Sequence, residues 1–183
     1  GEILMKGPGL FTGYFNRPEE TAEVMTSDGY FRTGDIGEFE GSYLKITDRK
    51  KDLLVLGNGK NVAPQKIENL LKEDILITEA VLFGDGNDFL VALILPNFEK
   101  LRENPEFANI PEQELVEKAE VKTLIQEIVD KVNKKVADYE RVKRHTLIWQ
   151  QFSVDNGELT PTFKVKRKAV FEKYQNLIRE LMR

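Results

Sequence analysis

The chain has 183 residues, no cysteine, one histidine and one tryptophan. Without cysteine there is no disulfide, no thiolate metal site and no cysteine nucleophile. A lone His145 leaves no histidine-based metal centre and no evident Ser-His-Asp triad. No apolar run approaches the roughly 20 residues needed to span a bilayer, and no secretory leader pattern opens the chain. A strong basic excess is also missing. The formal net charge is -4, which argues against a general nucleic-acid or membrane-surface binder. Repeats and low-complexity tracts are absent. A cytoplasmic protein is the resulting expectation. Gly1 leads straight into a strand-like run where a natural start would show Met, so the chain reads as a piece of something longer.

What is present is sufficient for a real core, with 40% hydrophobic residues. Residues 2–6 read as a short strand, and residues 7–18 are turn-rich and aromatic. Pro18 opens a short helix with acids in its first turn. Strand-like runs follow at 30–39 and 43–47, joined by Glu40-Gly41-Ser42. Five charged residues, Asp48 to Asp52, then break the apolar pattern. Beyond them come a short strand at 53–56, a loop from Gly57 to Asn61, and a helix opened by Pro64. Apolar runs at 79–84 and 89–95 flank Asp85-Gly86-Asn87-Asp88 as a hairpin that Pro96 ends. Residues 97–119 have weak helical character. Val121, Leu124, Ile125, Ile128, Val129, Val132, Val136 and Tyr139 make one helical stripe. Residues 145–149 predict a strand. A last helix begins near Lys166, with Val170, Phe171, Tyr174, Leu177, Ile178 and Leu181 inward. The fold class is α+β, with a boundary at Asp48–Lys51.

Four stretches bear chemistry. Thr33-Gly34-Asp35 is either a plain turn or a carboxylate held to accept the vicinal hydroxyls of a ribose. The run Asp48–Asp52 is a solvated linker in which Arg49 offers a planar fork of donors to a sugar or phosphate. The loop Gly57-Asn58-Gly59-Lys60-Asn61 matches neither GxxxxGK[ST] nor GxGxxG. It is therefore not a mononucleotide P-loop, but its glycines let backbone come close to a ligand. LTPTFKVKRK, residues 159–168, is a turn followed by a basic helix start. It is either a solubilising surface or a place where something negative binds, because the macrodipole disfavours cations there.

The stretch GEILMKGPGLFTGYFNRPEET resembles the GE-x-x-x-x-GP-x-x-x-x-GY-x-x-x-P-E-x-T segment of the adenylate-forming acyl-CoA synthetase superfamily. YFRTGDIGEF and DRKKDLLVLGNGKNVAPQKIE continue the resemblance in the family's order and spacing. LTPTFKVKRKAV and KNVAPQKIE are similar to the long-chain fatty-acyl-CoA ligase branch. Phe163-Lys164 stands where other branches usually carry Gly-Lys. The resemblance implies a small C-terminal domain, residues 53–183, with a short β-hairpin and a mainly antiparallel three-stranded sheet flanked by helices. A hinge linker at 49–52 precedes it. Residues 1–48 would then be a β-rich remnant of the large N-terminal adenylation domain, which is the missing partner.

By the same resemblance Asp35 and Arg49 contact the ribose of ATP, Lys51 is the hinge, and Lys164 is the adenylation lysine. Gly57, Asn58, Gly59, Lys60 and Asn61 form the loop that turns toward CoA in the second half-reaction. Tyr14 is given a packing role. ATP, a fatty acid and CoA are the implied substrates. Magnesium is expected in the whole enzyme, but its ligand, like the phosphate-binding motif and acyl pocket, would lie upstream of Gly1. No metal site, nucleic-acid partner or membrane span is expected within the chain. The 183-residue chain alone is expected to be inactive. Two alternatives stay open: an acyl-AMP ligase that delivers to a carrier protein, and a free-standing, non-catalytic binding domain of the same fold.

Overall fold

The computed structural model describes all 183 residues. The chain divides into two compact units, Gly1–Leu53 and Leu54–Arg183. In the first, β1 (Glu2–Met5), β2 (Phe31–Glu40) and β3 (Tyr43–Arg49) form an antiparallel sheet in the order β1-β2-β3. Helix α1 (Pro18–Val24) starts on proline, which fits the first helical position because its missing N–H has no intrahelical partner there. β3 runs two residues further than its apolar pattern indicated and absorbs Asp48 and Arg49, since ladder pairing with β2 continues past the last hydrophobic position. Lys50–Asp52 then forms a single 3-10 turn. The apolar side chains of this unit are not buried: Phe39, Tyr43 and Ile46 are 75, 81 and 62% exposed, and the hydrophobic core lies entirely from Leu54 onward.

The second unit holds that core. A small hairpin of β4 (Leu54–Val55) and β5 (Asn61–Val62) leads into α2 (Pro64–Lys72). β6 (Ile77–Phe83) and β7 (Leu90–Pro96) pair antiparallel, and β7 pairs parallel with β8 (Val142–Leu147). The three-stranded sheet therefore has one antiparallel and one parallel seam. A parallel seam needs a long crossover, and residues 97–141 supply it with α3 (Phe98–Leu101), α4 (Glu112–Leu115) and α5 (Ala119–Asn133). Every residue of β7 from Leu90 to Leu95 is buried. This is why the strand reads as an unbroken apolar run rather than an alternation.

α5 stops at Asn133, before Val136 and Tyr139, which the stripe had included. Asn133 ends it by turning both side-chain atoms onto β8: Nδ2 donates to the Val142 carbonyl and Oδ1 accepts from the Val142 N–H, each at 2.9 Å. The terminal helix is broken at Tyr174 into α6 (Arg167–Lys173) and α7 (Gln175–Leu181). No helix is long and apolar enough to cross a membrane.

Candidate functional site

In the first unit the strand register brings Asp35 and Arg49 together. The two residues are partners across β2 and β3, and Arg49 Nε lies 3.0 Å from Asp35 Oδ1. Gly34, with a φ of 72°, kinks β2 just before the carboxylate. The Asp35 N–H donates to Thr33 Oγ1 at 3.1 Å, and the Thr33 hydroxyl donates to the Ile3 carbonyl of β1 at 2.8 Å. The carboxylate is thus mounted on three strands and still keeps acceptor capacity on Oδ2. Tyr14 packs against Phe11 with ring centroids 5.1 Å apart. Lys51 is exposed in the 3-10 turn that ends this unit.

The second unit carries two hairpin loops of the same build. In the first, Gly59 N–H donates to the Leu56 carbonyl at 2.8 Å and Leu56 N–H donates to the Lys60 carbonyl at 2.9 Å. In the second, Phe163 N–H donates to the Thr160 carbonyl and Thr160 N–H donates to the Lys164 carbonyl, both at 2.8 Å. Each is a three-residue loop whose last residue has positive φ, 78° at Gly59 and 58° at Phe163. Each is followed at once by a lysine, Lys60 or Lys164.

The glycine loop is fastened to the β6–β7 turn. Gly57 N–H donates to the Asn87 carbonyl, and Gly86 N–H donates to the Val55 carbonyl, both at 2.8 Å. A Cβ on Gly57 would sit 2.9 Å from Asp88 Oδ1, the end of an exposed side chain that can turn aside. Lys60 Nζ lies 5.7 Å from the centroid of the Tyr139 ring.

The lysine hairpin is anchored by a buried acid. Glu158 accepts the Ser153 N–H at 2.9 Å and the Lys173 ammonium, and its carbonyl accepts the Lys166 N–H at 2.7 Å. Burial opposes ionisation of Glu158, but the Lys173 ammonium and the Ser153 N–H outweigh it and hold its carboxyl below the ordinary value. The same pairing, acting against burial, raises the Lys173 ammonium above its usual value.

A second buried pair ties this hairpin to the rest of the unit. Glu68, on α2, accepts from Arg167 at both oxygens and from the Leu82 N–H at 2.8 Å. Arg167 also donates to the Leu82 carbonyl at 2.7 Å. β6 is an edge strand, and this clamp satisfies its outward N–H and carbonyl at Leu82. α2 follows the glycine loop, and Arg167 follows Lys164 by three residues. The two lysine-bearing hairpins therefore belong to one rigid framework.

Sequence reasoning missed both pairs. One signal was available: Pro64, Ile67, Glu68 and Leu71 form the buried stripe of α2, so Glu68 is a carboxylate on an apolar face that demands a cation. Nothing in the sequence pointed to Arg167 as that cation. No local pattern marked Glu158.

No group of three or more His, Asp or Glu side chains could hold a metal ion. The residues present do not offer a magnesium site.

Residues 51–183 match the family model described as AMP-binding enzyme C-terminal domain. The chain belongs to that family. As an AMP-binding C-terminal domain it is 38% identical over 179 residues to a long-chain-fatty-acid–CoA ligase of Mycobacterium tuberculosis, covering 95% of this chain and 30% of that protein. It is 36% identical over 187 residues to human long-chain-fatty-acid–CoA ligase 1, covering 99% of this chain and 27% of that protein. The chain thus spans less than a third of the length of these relatives. Among solved structures, the A domain of a carboxylic acid reductase from Segniliparus rugosus, in complex with AMP and a co-purified carboxylic acid, superposes with a TM-score of 0.74 at 26% identity, over 99% of this chain and 28% of that one. The adenylation domain of a carboxylate reductase from Mycobacterium chelonae gives a TM-score of 0.72 at 29% identity, with coverage of 99 and 27%.

Proposed function

We propose that the chain is the C-terminal part of an ATP-dependent, AMP-forming long-chain fatty acid:CoA ligase. The observation that carries this reading is the mounting of two lysine-bearing hairpins on one rigid unit, directly after an exposed turn that can act as a hinge. In the first half-reaction a carboxylate oxygen of the fatty acid attacks the α-phosphorus of ATP. The new P–O bond gives acyl-AMP, and the bond to pyrophosphate breaks. This step brings negative charge onto negative charge. Lys164 is proposed to sit between the carboxylate and the α-phosphate, where an ammonium offsets the repulsion most strongly in the transition state. Asp35 accepts the ribose hydroxyls, and Arg49 holds Asp35 and adds its own donors.

In the second half-reaction the CoA sulfur, having lost its proton, attacks the acyl carbonyl and AMP leaves. Rotation about Lys51 is proposed to withdraw Lys164 and to present Gly57, Asn58, Gly59, Lys60 and Asn61 instead. The rigid coupling through Glu68 and Arg167 supports this exchange, because moving one hairpin must move the other.

The proposed domains are residues 1–48 as the end of the large domain, 49–52 as linker and 53–183 as the mobile part. The unburied apolar residues of the first unit support a larger body to which it belongs. The upstream adenylation domain, with the magnesium ligand and acyl pocket, is proposed as the partner, and the cytoplasm as the location. The chain by itself is proposed to be inactive. A full-length protein carrying Lys164→Ala tests the reading. ATP–pyrophosphate exchange driven by fatty acid is expected to fall by about a hundredfold or more, as when a transition-state donor is removed. Thioester formation from preformed acyl-AMP is expected to persist. Equal losses in both steps would remove Lys164 from its role.

A further inference from the structure

The two lysine hairpins of the second unit share one hydrogen-bond plan, and this makes each a control for the other. At the left-handed position one has Gly59, which adopts positive φ freely. The other has Phe163, with a φ of 58°. A side chain with a Cβ is strained there, and bulky residues more than most. The ring gains nothing locally in return: Phe163 is 75% exposed and makes no aromatic contact within the chain. The hairpin does not need it either. Pro161 suits the turn's second position, Thr160 Oγ1 accepts the Lys164 N–H at 3.0 Å, and Glu158 anchors the base. An unfavourable backbone state that presents an uncovered phenyl ring beside a functional lysine marks a residue whose partner is elsewhere.

We propose that Phe163 is a water-excluding residue of the adenylation step, whose ring covers the acyl–phosphate junction when Lys164 is engaged there. The proposal rests on the function given above for Lys164. Phe163 and Lys164 are consecutive, with Cα atoms about 3.8 Å apart, so the movement that delivers the lysine ammonium to the reacting carboxylate carries the phenyl ring with it. The occupant is the carboxylate end of an apolar acyl chain: its first methylenes offer the ring an apolar surface, and its charge benefits from a low local dielectric around the ammonium. When the hairpin withdraws, the ring withdraws with it, and the carbonyl is opened to the thiol. The ring therefore acts in one half-reaction only.

The test uses Phe163→Ala, Phe163→Leu and Phe163→Gly, with Lys164→Ala as reference, in the full-length protein. Fatty-acid-dependent ATP–pyrophosphate exchange and thioester formation from preformed acyl-AMP are measured separately. Phe163→Ala should lower kcat/KM for exchange about tenfold or more, the scale of one buried phenyl ring. Thioester formation should stay within about twofold. Phe163→Leu, which keeps apolar bulk, should recover most of the exchange. In the 183-residue chain Phe163→Gly should raise Tm by roughly 2 °C through release of the strained φ, so that any loss of exchange in this variant cannot come from unfolding. Exchange unchanged in Phe163→Ala while Lys164→Ala abolishes it would overturn the proposal and leave the ligase reading intact. Equal losses in both half-reactions, or no recovery with leucine, would overturn it as well. Exchange that survives Lys164→Ala would instead refute the ligase reading beneath it.

Discussion

Replacing Glu68 by glutamine probes what holds the second unit's two lysine-bearing hairpins together. Glutamine has the same shape as glutamate, so packing is kept. Its carbonyl in the Oε1 position can still accept the Leu82 N–H and the Arg167 Nη1–H, but its amide then turns donors toward Nη2. The hydrogen bond from Arg167 Nη2 is lost, and the one from Nη1 keeps an acceptor but loses its charge; a hydrogen bond to a charged group contributes about 1.5–3 kcal/mol. Arg167, only 24% exposed, is left without a counterion. Removing one member of a fully buried pair costs about 3–5 kcal/mol. The remaining exposure of the guanidinium and its bond to the Leu82 carbonyl reduce this to about 2–4 kcal/mol. In a chain of this size that corresponds to roughly 5–15 °C in Tm. Trp149, the single tryptophan, lies in the second unit, so its fluorescence in a urea titration reports on this unit. The cycle of Glu68→Gln, Arg167→Met and the double variant should give a coupling energy above about 1 kcal/mol. A cost below about 0.5 kcal/mol for Glu68→Gln, or strict additivity, would refute the clamp.

Three other predictions concern neighbouring features. Burial, partly offset by the Asp130 carboxylate, holds the His145 pKa below its ordinary value of 6.5. The unfolded chain then takes up a proton more readily than the folded one, so stability should decline as pH falls below about 6.5. His145→Gln should flatten that decline in urea midpoints measured from pH 7.5 to 5, and an unchanged slope counts against it. Gly59→Ala should cost about 1 kcal/mol whatever its neighbours, because open space surrounds it and φ alone is at fault. Lys51→Pro should disfavour the helical backbone of Lys50, disrupt the 3-10 turn of Lys50–Asp52 while fixing φ at position 51, and slow one half-reaction of the full-length protein far more than the other. Equal rates in both would deny Lys51 the hinge.

Much of the fold was legible because it is written in local periodicity. The stripe at Ile67 and Leu71 and the hairpin around Asp85–Asp88 follow from spacing and turn chemistry alone. So does the unbroken apolar strand at 90–95. Helix ends were less legible. α5 ends at Asn133 because that side chain caps β8, a contact the stripe through Val136 and Tyr139 could not reveal. Tyr174 lies in a stripe that continues through it, yet the backbone breaks there, with a φ of -106° and a ψ of 22°. The parallel seam between β7 and β8 was hidden for the same reason: a strand's partner and direction depend on the path of a 45-residue crossover, not on its own residues.

The sequence alone determined which side chains are available for chemistry and which chemistries are closed. It ruled out cysteine and histidine centres and a P-loop. It also placed Asp35, Arg49, the glycine loop and Lys164 in the order and spacing of an adenylate-forming enzyme. Only the tertiary structure decided which of these meet and what holds them. Strand register, not spacing, brings Arg49 onto Asp35. Packing of α2 against β6 brings Glu68 to Arg167, 99 residues away, and so makes one body of two hairpins. The left-handed backbone of Phe163 is likewise invisible in its residue type, which on its own disfavours that conformation. Local propensities are summed along the chain and can be read there. Pair energies depend on distance in space, and that distance exists only once the core has closed.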